Sequence, residues 1–78
     1  MNTNQTNSQM NLYIINDVLY DYTPGMCVIA AESKEQCREI FAENFKSSIK
    51  EYDECAEIKE IKNVNHSAGV VSYVYGGG

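Results

Sequence analysis

The sequence predicts a small α+β domain in the order β-β-α-β-β, with one amphipathic helix on one face of a mainly antiparallel sheet. Three observations carry this. Two β-rich runs flank a Pro-Gly pair at residues 24–25. Apolar residues then recur every three or four positions from Cys37 to Ile49. Finally, a Val/Tyr run, Val70 to Tyr75, ends in three glycines. The 78 residues allow one domain, and a chain of this size buries only a modest core.

Residues 1–9 (MNTNQTNSQ) hold no large apolar residue after Met1 and read as a disordered arm before a domain at 10–78. Met10 to Asn16 is a first strand, broken at Asn16-Asp17 and resumed briefly at Val18 to Tyr20. Asp21-Tyr22-Thr23-Pro24-Gly25 reads as a type II turn, with Pro presetting φ and Gly25 supplying positive φ. Met26 to Ala31 is the hairpin partner. Ser33 opens the helix with a Ser-x-x-Gln capping box closed by Gln36. Cys37, Ile40, Phe41, Phe45 and Ile49 make its buried stripe over about four turns. Lys50 to Glu54 is a polar exit. In Cys55 to Val64, the spacing of Ile58, Ile61 and Val64 suits a helix as well as a bulged strand. The strand is preferred because the sheet otherwise has too few members. Asn65 to Gly69 is a turn before the last strand, Val70 to Tyr75, and residues 76–78 form a flexible glycine tail.

The strands lack the alternation expected of a sheet covered on one side. Leu12 and Ile14 oppose Tyr13 and Ile15, Met26, Val28 and Ala30 oppose Cys27, Ile29 and Ala31, and Val70 and Val74 oppose Val71, Tyr73 and Tyr75. With one helix on one face, the other is expected to expose tyrosine and aliphatic groups together. Such a surplus leads to the expectation of a homodimer, formed either by stacking those faces or by pairing edge strands. Six tyrosines reinforce it, because tyrosine joins large contact area to few rotors and a hydroxyl. Tyr20 and Tyr22, which flank Asp21 before the Pro-Gly pair, are the best loop candidates for contact, and Asp21, Tyr22, Tyr73 and Tyr75 are the candidate partner-binding residues.

Eleven acids against six bases give a net charge of −5. With no cluster of Lys and Arg to replace phosphate counterions, direct nucleic-acid binding is not expected. An acidic face instead suits a basic partner, such as a protein that itself holds nucleic acid. Three cysteines without CxxC spacing point to free thiols in a reducing, cytoplasmic setting. No apolar run is long enough to span a bilayer, and no secretory signal begins the chain. The single histidine, His66, and the scattered cysteines support neither a nucleophile–base pair nor a zinc site. The glycines do not form a phosphate-cradling loop. No catalytic residue, metal or cofactor is expected.

Two resemblances follow. With the Asp21-to-Met26 segment, the capped helix and Tyr73-Val74-Tyr75-Gly-Gly-Gly, the chain resembles small acidic proteins encoded by phages and mobile elements. Anti-CRISPR and other anti-defence inhibitors belong to that group. The resemblance implies stoichiometric action in a bacterial cell, either by covering a functional surface of a host defence complex or by sequestering a small molecule, with no residue roles to transfer. The β-β-α-β-β order and the Gly77-Gly78 ending are also similar to ubiquitin-like and sulfur-carrier proteins, whose terminal glycine carboxylate is adenylated. Gly76 and the short reach of the tail depart from that pattern.

Overall fold

A computed structural model describes residues 9–77. The expected N-terminal arm, apart from Gln9, lies outside the described residues, as does Gly78. Four strands form one sheet: β1 (Gln9–Asp21), β2 (Thr23–Ala31), β3 (Glu57–Asn65) and β4 (Gly69–Val74), in the spatial order β3-β1-β2-β4. Every pairing is antiparallel. Between β2 and β3 the chain makes α1 (Lys34–Asn44), a 3-10 turn (Lys46–Ser48) and α2 (Ile49–Cys55). The fold is α+β, but the single four-turn helix becomes two, and the Lys50-to-Glu54 exit is α2. The segment from Cys55 is a strand with a bulge: residues 62–63 add an extra position opposite Met10–Leu12, and Asn63 takes φ of 61°.

The helix starts as its sequence dictates. Ser33 Oγ accepts the Gln36 amide at 3.1 Å, and Gln36 Oε1 accepts from Glu32 N–H at 2.6 Å, one residue before the cap. It ends early for a local reason. Asn44 Nδ2 donates to the Ile40 carbonyl, and Asn and Ser offer side-chain alternatives to helical hydrogen bonding. Phe45 then leaves helical backbone at φ −133°, ψ 55°. The break lets α1 lie against β2 and β4 while α2 lies against β1. Arg38 forms a bidentate pair with Asp53 (2.8 and 2.7 Å) that links the two helices. Both side chains are about half exposed, so the pair orients more than it stabilises.

The core lies between helices and sheet. Tyr13, Ile15, Val18, Leu19, Cys27, Ile29 and Ala31 meet Cys37, Phe41 and Phe45. Phe41 is fully buried and stacks at 4.8 Å on Tyr52 and 5.2 Å on Phe45. Burying one such ring is worth about 1.5–3 kcal/mol. Tyr13 is buried to 1 % exposure, and its hydroxyl donates to Glu60 on edge strand β3 at 2.9 Å.

The β1–β2 hairpin corrects the expected turn. Asp21 pairs with Thr23, leaving Tyr22 alone at the tip with φ of 71°. Pro24 and Gly25 lie inside β2. Gly25 serves a different need: a Cβ there would collide with the Val74 carbonyl and approach the Gly76 nitrogen at 2.7 Å. Nor does Asn16-Asp17 end the strand. Two bulges, with Asp17 at φ 65° and Leu19 at φ 53°, carry β1 on to Asp21. They also bury the consecutive residues Val18 and Leu19.

The Asn65-to-Gly69 turn is not a hairpin turn, because β3 and β4 are opposite edges of the sheet. Three inter-strand spacings amount to roughly 14 Å, and the four Cα steps from Asn65 to Gly69 reach about that when extended. A link this short between opposite edges leaves little slack. Deleting Ser67 is expected to detach an edge strand and cost several kcal/mol, much of a small domain's stability. Inserting two glycines after Ser67 is expected to cost less than about 1 kcal/mol. Urea denaturation compares the two, and equal effects would contradict a taut link.

Candidate interaction surface

The two faces of the sheet differ. Tyr13, Ile15, Cys27 and Ile29 point to the helices and are buried. By alternation and register, Leu12, Ile14, Met26 and Val28 point the other way, partly exposed, with Ile61 and Val74 at the edges. That face is aliphatic. The expected tyrosine-bearing open face is corrected here: Tyr13 lies under the helices, and Tyr73 and Tyr75 pack on the helix side. Their rings lie 5.2 and 6.4 Å from Phe45 and 6.1 Å from each other, all edge-on. Such geometry sets the positive edge of one ring against the negative face of the next. Phe45, thrown out of the helix by the Asn44 break, is the anchor that fixes both tyrosines.

Exposed large apolar residues gather at one end of the molecule. Of eight among the described residues, Tyr20, Tyr22, Tyr73, Val74 and Tyr75 lie at or beside the hairpin tip. Val74 pairs with Met26, so Tyr75 falls level with Gly25, close to the tip. Tyr22 is 92 % exposed, while Tyr73 and Tyr75 are half exposed. The structure thus brings Asp21, Tyr22, Tyr73 and Tyr75 to the same end, with Tyr73 and Tyr75 in one ring cluster and Asp21-Tyr22 on the adjoining turn. Sequence reasoning missed Phe45, which it placed simply on the helix stripe; Tyr20, expected with Tyr22 as a loop contact, lies at this end and is exposed. The Tyr20 amide donates to Glu51 Oε1 at 3.4 Å. Desolvation, then Asp17, Cys55 and Glu51, push the Tyr20 hydroxyl above its usual range. The aromatic end therefore carries carboxylates beside it.

The last glycines are tied to this tip. Gly76 is buried, its amide donates to the Leu19 carbonyl at 3.0 Å, and a Cβ there would collide with the Thr23 carbonyl. Gly77 exchanges hydrogen bonds with the Thr23 hydroxyl at 2.9 and 3.0 Å. Gly76 and Gly77 of the expected tail are thus hydrogen-bonded to the hairpin, while Gly78 lies outside the described residues.

Cys27 and Cys37 are buried and Cys55 is exposed, all three unpaired. Desolvation, then Cys37, pushes the Cys27 thiol up to about 12. Cys37 is also raised by desolvation, although it accepts a long 3.6 Å hydrogen bond from the Tyr52 hydroxyl. His66 is exposed beside its own turn, with Nδ1 2.7 Å from the Ser67 carbonyl oxygen. Among the described residues no group of three His, Cys, Asp or Glu is placed to hold a metal ion. None of their helices is long and apolar enough to cross a membrane. Comparison with known proteins returns no matching family model, curated sequence or solved structure.

At neutral pH a thiol reagent is expected to titrate one cysteine, Cys55, in the folded chain and three after denaturation. The raised values of Cys27 and Cys37 also fix a sign. The folded chain keeps these groups protonated, so their contribution is fully present below the free-thiol value of 9.0 and is lost as pH rises above it, for Cys27 toward about 12. Rapid reaction of all three thiols, or stability that stays flat through that alkaline range, would contradict the buried assignment.

Proposed function

We propose that this chain is a non-enzymatic binding protein of the phage-encoded, anti-defence kind, which inhibits a host complex by occupying one of its surfaces. The observation that carries the reading is the gathering of exposed tyrosines at the hairpin end, with Tyr22 presented at 92 % exposure on a single-residue turn. A non-glycine residue held at positive φ costs of order 1–3 kcal/mol, and such strain concentrates at functional sites. Aromatic side chains with few rotors make effective anchors. Asp21, Tyr22, Tyr73 and Tyr75 form the contact, with Tyr20 at its border. The net charge of −5 and the carboxylates of Asp17, Asp21 and Glu51 near the tip favour a basic partner, such as the protein component of a nucleic-acid-binding defence complex.

Affinity capture from a bacterial host with wild-type chain and with Tyr22→Ala tests this. The wild type is expected to retain one partner in a stoichiometric complex. Tyr22→Ala should weaken that complex about thirtyfold, the mark of an anchor worth roughly 2 kcal/mol, while leaving the urea midpoint unchanged. Affinity should fall as salt rises, through screening of the charge pairs. A complex insensitive to Tyr22→Ala and to salt would refute the assignment. Turnover of a small molecule by the isolated chain would refute the non-enzymatic reading.

A further inference from the structure

The two edges of the sheet are not equivalent. The outer strand β3, Glu57–Asn65, carries Glu57, Lys59, Glu60 and Lys62 and a bulge. Charges and bulges are the usual means by which an edge is kept from pairing with another strand. The other edge, β4, is Gly69-Val70-Val71-Ser72-Tyr73-Val74 and carries no charge. Its own bulge lies at Val70–Val71, and Ser72 to Val74 continue in regular register with β2. Val71, Tyr73 and Val74 are exposed. Along this strand runs an open groove of about 450 Å³, lined by Asn44, Phe45 and residues 70–73. A free sheet edge beside a groove calls for an extended strand, which supplies main-chain hydrogen bonds to the edge and side chains to the groove.

We propose that the occupant is the β4 strand of a second copy, paired antiparallel about a two-fold axis to give a continuous eight-stranded sheet. Charge selects it. Two chains of net charge −5 repel, and β4 is the edge at which they meet without setting carboxylate against carboxylate. Antiparallel self-pairing sets only Gly, Val, Ser and Tyr opposite one another in any register. A basic peptide would find no acid on the strand itself to pair with. The seam joins the Phe45, Tyr73 and Tyr75 ring clusters of both copies. One strand edge and one groove make an interface at the small end of the specific range, so the dimer is expected to dissociate in the micromolar region. This pairing shares Tyr73 and Tyr75 with the contact proposed at the hairpin tip but leaves Asp21 and Tyr22 outside the seam, so a dimer would present that turn twice.

Light scattering and hydrogen exchange on the full chain test the proposal. At high micromolar concentration the wild type is expected to show twice the 8.8 kDa chain mass. Val71→Glu, which sets like charges across the axis, should return a single-chain mass with an unchanged circular dichroism spectrum. Ile61→Lys, on the aliphatic open face at 45 % exposure, should remain dimeric. In the wild type, amides of β4 should exchange more slowly as concentration rises, while those of β3 should not change. A wild-type mass of one chain up to millimolar concentration overturns the proposal. So does a folded Val71→Glu dimer, or a monomeric Ile61→Lys, which would assign the contact to face stacking. Should Val71→Glu not fold, concentration-independent exchange of the wild-type β4 amides overturns it equally.

Discussion

The fold turns on Phe45. It closes α1, leaves helical backbone, and yet stays buried to 8 % exposure. Because the break falls there, one amphipathic run becomes two short helices on the same face of the sheet. Its ring packs on Phe41 inward and on Tyr73 and Tyr75 outward. Helices this short are marginal in isolation, so α1 and α2 owe their stability to this shared aromatic core more than to propensity. The same ring walls the groove beside β4. Core, edge strand and exposed tyrosines are thus linked through one side chain.

A second constraint is arithmetic. Two helices totalling eighteen residues cover one face of a four-stranded sheet and leave the other aliphatic. The covered face takes the larger groups, Tyr13 and Ile15. The open face keeps Leu12, Ile14, Met26 and Val28, which shield one another enough to remain only partly exposed. Exposed apolar surface is therefore built into the architecture, and its largest members lie where the strands end.

Much of this was legible from the residues. The strands at 10–16, 26–31 and 70–75 follow from β-branched and aromatic runs. The helix start follows from Ser33 and Gln36, and its buried stripe from Cys37, Phe41 and Phe45. The break was hidden because Ile49 continues the stripe at the right spacing, while the competing side chain of Asn44 leaves no periodic signal. The hairpin tip moved from Pro24-Gly25 to Tyr22 because Gly25 is needed where β4 closes on β2, a tertiary demand invisible to turn rules. Placing β3 and β4 on opposite edges also escaped sequence reasoning, since a short turn ordinarily joins neighbours. Asp21 and Tyr22, with Tyr20 beside them, stand out in the sequence from their place before Pro-Gly. Tyr73 and Tyr75 were found as residues but assigned to the wrong face, because a lone strand pattern does not say which side the helices take.

The most direct measurement of the central role of Phe45 is a nuclear Overhauser spectrum of the dilute chain. Cross-peaks from the Phe45 ring to the rings of Tyr73 and Tyr75, with ring-current shifts on both tyrosines, are expected. Tyr73 and Tyr75 at random-coil shifts, with no cross-peak to Phe45 while Phe41 and Tyr52 remain in contact, would contradict that role.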